Sequence, residues 1–485
     1  MGFERCRGEA EEALDQGVGG FILFGGEAGE VRALVADLQH RSRHPLLFGA
    51  DLERGAGQQF AGCTALPPAA ALGALDDLEA VERAGEVTAR EARALGVGWI
   101  YAPVADLGCE PRNPIVGTRA FGDDPKAVAR AVAAWVRGCR AGGGLACVKH
   151  FPGHGRTVED SHATRPVVGA NAAELAADLA PFEAAVAEGV PSVMTAHVAY
   201  PALDPAGLPA TRSGPIIRSL LRERLGFRGL VVTDALIMEG ASRGGGDARG
   251  AAPGADGEAA AAVETLAAGV DVLLYPRDLA GTARGLARAL ERGELPAERV
   301  DDALARVDAA ARSVSEPGAA SWGRREDREW ALATAVRSVR WVGGAAWGGP
   351  GAAPVPLTIV DDDVGGPYPA PSRRPLLDAL ADRGFDARPG EGSAEARVHL
   401  VAVFADTRGW KGRAGLSDEA RAAVARAVAA GASEVAGAGA LILLFGHPRV
   451  AGELPAGVPV LCAWGGEPLM QEAAAEALAR GWARP

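Results

Sequence analysis

Three of the chain's eight histidines fall within thirteen residues, at His150, His154 and His162, in the stretch LACVKHFPGHGRTVEDSHATRP that begins at Leu145. Lys149 precedes the first of them, and Asp160 stands two residues before the last. Imidazole changes charge near neutral pH, so such a cluster suits proton transfer, metal ligation or recognition of a polar ligand. Pro152, Gly153 and Gly155 forbid a helix there and force a tight loop after the apolar run 145–148. In that loop Asp160 and His162 can turn toward each other. The carboxylate would favour the protonated ring and raise its pKa, making His162 a proton donor that can take the proton back later. A surface Asp-Ser-His segment or a helix cap stays open on these residues alone.

Asp234 follows the run LVVT within GLVVTDALIM. A carboxylate at the end of a buried strand costs desolvation unless donors surround it, and Lys149 is the natural nearby cation. A nucleophilic carboxylate and a separate acid/base are the parts of a retaining glycoside hydrolase. A metal-dependent barrel hydrolase would instead draw on His150, His154, His162, His197, Asp51 and Asp234. Against it, Pro152 and Gly153 exclude the helix that would put His150 and His154 on one face, and no HxH stands at a first strand. A non-catalytic sugar-binding barrel leaves the acid/base pair unexplained. None of these residues calls for a cofactor.

The elements that must position these groups alternate. Strand-like runs at 18–24, 45–50, 99–103, 145–148, 191–195, 230–233 and 270–274 are separated by Ala-rich helical stretches at 28–41, 78–95, 125–141, 172–188, 214–225, 258–268 and 279–292. Continuous Val/Ile/Leu runs in β-then-α alternation predict a parallel sheet with helices outside. Seven such units are one short of a (β/α)8 TIM-type barrel, and the spacing puts the short or missing unit at the front, with Met1-Gly2-Phe3 as the stub of a strand. Asp51, Asp106, Lys149-His150, His197 and Asp234 each follow one of five successive strands, where barrel enzymes build their sites. The run 241–257 reads as a long loop. A smaller α/β sandwich domain is expected at the C-terminus, giving domains at 1–315 and 356–485 with a linker at 316–355. His399 and His447 in that second domain read as structural or surface residues.

Composition narrows the function classes. The net charge of −12 argues against a nucleic-acid partner. No apolar run approaches a membrane span, and the N-terminus lacks a signal-peptide core, so a cytoplasmic location is expected. Cys6, Cys63, Cys109, Cys139, Cys147 and Cys462 are scattered without a CxxC pair, so neither a disulfide framework nor a zinc cluster is signalled.

The order of VGGFILF, Asp51-x-Glu53, APVADL, NPIVGTRAFGDDP, KHFPGHGRTVEDSH, SVMTAHVAYPALD and LVVTDALIMEGAS resembles glycoside hydrolase family 3, and the DSH triplet resembles its β-N-acetylglucosaminidase branch. The resemblance implies that Asp234 is the nucleophile and that His162, oriented by Asp160, is the general acid/base. It implies that Asp51, Arg119, Lys149 and His150 grip the hydroxyls of a terminal sugar, and His197 is grouped with them. Gln59 stands where the family often has an arginine. The expected activity is retaining, exo-acting release of terminal GlcNAc from muropeptide or chito-oligosaccharide glycosides. A β-glucosidase or a phosphorylase of the same family stays open, because a histidine acid/base becomes neutral once it has given up its proton and repels an anionic acceptor less than a carboxylate would.

Overall fold

The structure, a computed structural model, describes residues 3–159, 166–238, 255–319, 321–342, 355–366, 371–389, 398–433 and 439–481. The chain forms two compact units. The first comprises Met1–Ala65, Leu78–Cys109 and Gly122–Arg324; the second comprises Leu66–Asp77, Glu110–Phe121 and Arg325–Pro485.

The first unit opens with helix α1 (Phe3–Asp15), then β1 (Gly20–Ile22), α2 (Ala28–Arg41) and β2 (Leu47–Ala50). After α3 (Ala69–Gly73), which groups with the second unit, come α4 (Leu78–Ala94), β3 (Trp99–Ile100), α5 (Pro125–Ala141), β4 (Leu145–Phe151) and α6 (Ala172–Ala187). Next are β5 (Ser192–Thr195), the helical segment Pro215–Arg224, β6 (Leu230–Thr233), α7 (Ala255–Ala268), α8 (Leu279–Glu291) and α9 (Ala297–Ser313). The six strands pair in parallel in sequence order, β1-β2-β3-β4-β5-β6, which is the connectivity of a curling α/β sheet. The expected strand at 270–274 appears as a single parallel bridge from Val232 to Val272.

Of the expected N-terminal strand stub, Met1 and Gly2 lie outside the described residues, and Phe3 begins α1. The segment FERCRGEAEEALD is rich in Glu, Ala and Arg, which favour helix, and it lacks the β-branched run of a buried strand. Of the long loop read at 241–257, residues 241–254 lie outside the described residues, and Ala255 already belongs to α7.

Inside the curl, Leu47, Trp99, Tyr101, Cys147, Met194, Leu230, Val232 and Leu274 form one buried cluster. Its indole is satisfied: Trp99 Nε1 donates to Ser192 Oγ at 2.7 Å, and that hydroxyl donates to the Ala146 carbonyl at 2.8 Å. Outside, α4 and α5 meet backbone to backbone. A Cβ at Gly138 would overlap the Glu82 carbonyl oxygen, and one at Gly85 would overlap that of Trp135.

The second unit holds α10 (Arg325–Ser338), β7 (Arg340–Trp341), β8 (Val355–Asp361), α11 (Arg374–Asp382), β9 (Ala387–Pro389), β10 (Val398–Ala405), α12 (Asp418–Ser433), β11 (Gly439–Gly446), β12 (Val460–Cys462) and α13 (Pro468–Gly481). Its sheet runs β7-β12-β11-β10-β8-β9, parallel except for β7. The two-residue period sorts β10 between two cores. Leu400, Ala402 and Phe404 pack with Leu376 and Leu380 of α11 and Leu478 of α13, while Val401, Val403 and Ala405 pack with Ala420, Val424 and Ala427 of α12. His399 Nε2 lies 2.7 Å from Thr358 Oγ1, and His447 Nδ1 accepts from the Arg449 amide at 3.1 Å. The Gly/Ala/Pro tract 343–354 lies outside the described residues.

Candidate active site

The carboxyl ends of β2 to β6 deliver Asp51, Asp106, Lys149 with His150, His197 and Asp234. Lys149 is buried, and an isolated ammonium there would be costly. It has two carboxylates: Asp51 Oδ1 at 2.6 Å and Glu53 Oε1 at 2.7 Å. The Asp51 side chain is one-third exposed, so it is the partner with a face left for a ligand. Gln59 steadies the same turn, accepting from the Gly25 amide at 3.1 Å and donating to the Asp51 carbonyl at 3.4 Å.

Asp106 ties the end of β3 to the loop after β4. Its Oδ2 lies 2.7 Å from His150 Nδ1, and its Oδ1 accepts from the backbone amides of His150 (3.2 Å) and His154 (2.6 Å). Burial alone would raise the Asp106 carboxyl, but His150, together with the His154 ring and amide, outweighs it and holds the group below the usual carboxylate range. An ionised Asp106 can only accept, so His150 carries a hydrogen on Nδ1 and presents Nε2 to the site. His154 is fully enclosed, with Nδ1 2.8 Å from Thr157 Oγ1, and burial pushes its pKa down to about 4. The loop itself is held by backbone contacts: Tyr200 Oη donates to the Gly153 carbonyl at 2.7 Å, and Gly155 lies so close to Leu107 that a Cβ would overlap its carbonyl oxygen.

Asp234 stands immediately after β6, its amide donating to the Thr195 carbonyl at 3.3 Å. Its side chain keeps about a fifth of its surface exposed. Oδ1 accepts from the Ala235 amide at 2.8 Å, and Oδ2 lies 4.0 Å from His150 Nε2. Burial would raise this carboxyl, but His150, His197, the Ala235 amide and Lys149 together lower it. The result is an ionised, partly accessible carboxylate at the mouth of a parallel sheet, with a neighbouring imidazole edge and an ammonium held by two acids. Such a group can attack an electrophilic carbon or stabilise a cation.

Residues 3–310 match the N-terminal domain of glycosyl hydrolase family 3. The chain belongs to that family. A β-N-acetylglucosaminidase of the family from Paenibacillus sp. strain FPU-7 superposes with a TM-score of 0.84 at 29% identity, covering 96% of this chain and 91% of that one. A β-hexosaminidase of Thiobacillus denitrificans is 39% identical over 256 residues, 50% of this chain and 70% of the relative. A β-N-acetylglucosaminidase/β-glucosidase of Cellulomonas fimi is 35% identical over 300 residues, 60% of this chain but only 51% of its own length.

Within this family 3 chain, Asp51, Lys149, His150, His197 and Asp234 come together in the first unit. Asp160 and His162 lie outside the described residues. Arg119 belongs to the segment Glu110–Phe121 that groups with the second unit, where its Nη1 donates to the Ile115 carbonyl at 3.4 Å. His197 is buried, with Nδ1 2.8 Å from Thr211 Oγ1 and Nε2 3.2 Å from the Ala235 carbonyl. Three residues in contact with the site had no role assigned from sequence: Glu53, Asp106 and Thr211. Asp106 carried a signal, its place after a strand; Thr211 carried none. Among the described residues no three His, Cys, Asp or Glu side chains gather as metal ligands, and no helix is long and apolar enough to cross a membrane.

Proposed function

We propose that this chain is a retaining, exo-acting β-N-acetylglucosaminidase. The observation that carries the reading is Asp234, an ionised carboxylate at the end of β6 with one oxygen tied to its own backbone and the other facing the site. The agreement with the Paenibacillus enzyme over nearly the full length of both chains supports GlcNAc as the sugar.

In this mechanism Asp234 Oδ2 bonds to the anomeric carbon as the bond to the leaving oxygen breaks, and His162 gives that oxygen its proton. Water then loses a proton to His162 and bonds to the anomeric carbon, and the bond to Asp234 breaks, restoring the carboxylate. Asp160 orients His162. Asp51, Lys149 and His150 hold the sugar hydroxyls. The work falls to the first unit, and the second unit, which already takes in α10 and β7, is the sandwich domain. Muropeptide fragments met during peptidoglycan recycling in the cytoplasm are the natural substrates this reading favours.

A set of nitrophenyl glycosides tests the sugar: GlcNAc should be released well ahead of glucose. A slow-reacting fluorinated sugar should label Asp234, and Asp234→Asn should lower turnover on the order of a thousandfold or more. Preference for glucosides would overturn the sugar assignment, and a label on another residue would overturn the nucleophile.

A further inference from the structure

We propose that His197, backed by Thr211, is a positioning residue that decides which oxygen of Asp234 attacks; this rests on the catalytic reading of Asp234 above. His197 and Thr211 are both buried, and both ring nitrogens already have protein partners, so the imidazole offers no free edge to a sugar. The two contacts define the tautomer. The Ala235 carbonyl can only accept, so Nε2 carries the hydrogen. In the neutral ring Nδ1 then accepts from the Thr211 hydroxyl, which lies 2.8 Å away. Burial lowers the His197 pKa, consistent with a neutral ring. That hydroxyl has one hydrogen, so once it is given to Nδ1 the oxygen accepts from Thr195 Oγ1 at 3.0 Å, and the Ala196 carbonyl 3.1 Å away takes the Thr211 backbone amide instead.

The consequence lies at Ala235, which is held from two sides. Its N–H donates to Asp234 Oδ1 and its carbonyl accepts from His197. With that backbone pinned, the carboxylate cannot rotate without giving up the 2.8 Å bond to its own neighbouring amide. Oδ1 is therefore committed, and Oδ2, on the His150 side, is the atom left to form the bond to the anomeric carbon. Alignment of this kind acts on the chemical step and leaves ground-state sugar binding nearly untouched.

The test compares three variants of the full chain. His197→Phe fills the ring volume without a donor, His197→Gln keeps an N–H that can reach the Ala235 carbonyl, and Thr211→Val removes the hydroxyl that sets the tautomer. Each is measured for kcat and KM on a nitrophenyl GlcNAc glycoside, for the rate of covalent labelling by intact mass, and for thermal melting. His197→Phe should lower both kcat and the labelling rate roughly 10- to 100-fold, with KM within about threefold. His197→Gln should recover most of that loss, and Thr211→Val should fall between. A raised KM with unchanged kcat would make His197 a sugar contact and overturn the proposal, as would equal losses in the Phe and Gln variants. If the Phe variant does not fold, the Gln and Val variants decide: wild-type kcat in Thr211→Val, or no partial activity in His197→Gln, overturns it. Labelling of the unaltered chain at a residue other than Asp234 would instead overturn the catalytic reading itself, and with it the role given to His197.

Discussion

At the scale of single residues, Asp106 does more than its place after a strand announced. One buried carboxylate accepts from the His150 ring and from two backbone amides, so the Nε2 edge of His150 and the start of the loop are set together. Asp106→Asn keeps the shape but turns an NH2 toward His150 Nδ1, so the ring must face it donor to donor or change tautomer, and the buried charge is lost either way. Hydrogen bonds to a buried charge are worth about 2 kcal/mol each, so the variant should melt several degrees lower. It should also show a raised KM, because His150 loses its orientation. A normal KM in a folded Asp106→Asn enzyme would show that His150 is held by something else.

At the scale of elements, two close approaches separate fold from site. Gly138 lets α5 rest against α4 on the outside of the sheet, and Gly155 lets the histidine loop rest against Leu107 at its mouth. Gly138→Ala should push the helices apart and cost about 2 kcal/mol of stability while leaving turnover at room temperature intact. Gly155→Ala should do the reverse, shifting the loop and cutting kcat/KM by roughly tenfold or more with a smaller loss of stability. Paired melting curves and kinetics on the two variants check this. Equal activity losses in both would mean that the helix layer and the loop are not independent.

For the whole molecule, the buried histidine predicts how acid unfolds it. His154 takes up a proton near 6.5 when unfolded but only near about 4 when folded. A depressed pKa of this kind contributes stability that is complete above pH 6.5 and is lost as pH falls from there through about 4. The shift corresponds to about 3 kcal/mol. Asp106 and His150 face the ring; Asp106, whose pKa is lowered, gives up its own contribution only below the ordinary carboxylate range. Urea unfolding between pH 7.5 and pH 4 should therefore show a falling midpoint, and His154→Gln should flatten that slope. A midpoint that is level across this window in the unaltered chain would refute the assignment.

The order of strands and helices was legible in the sequence because it rests on local rules. Apolar runs, Ala-rich stretches and Gly/Pro breaks lie within a few residues of one another, and they placed all six paired strands of the first unit and the polar residues that follow β2 to β6. The first helix was misread because three residues, Met1-Gly2-Phe3, carry no period, whereas the Glu/Ala pattern behind Phe3 does. Partnership was another matter. Lys149 finds Asp51 across 98 residues, His150 finds Asp106 across 44, and His197 finds Ala235 across 38. Spacing along the chain carries no record of such pairs, because they are made where one sheet gathers its strand ends, adjacent for His150–Asp106 and His197–Ala235 and with β3 between for Lys149–Asp51. Sequence alone therefore determined which chemical groups stand at the mouth of the first unit. Only the tertiary structure decided which of them hold one another and which oxygen of Asp234 is taken by the Ala235 amide.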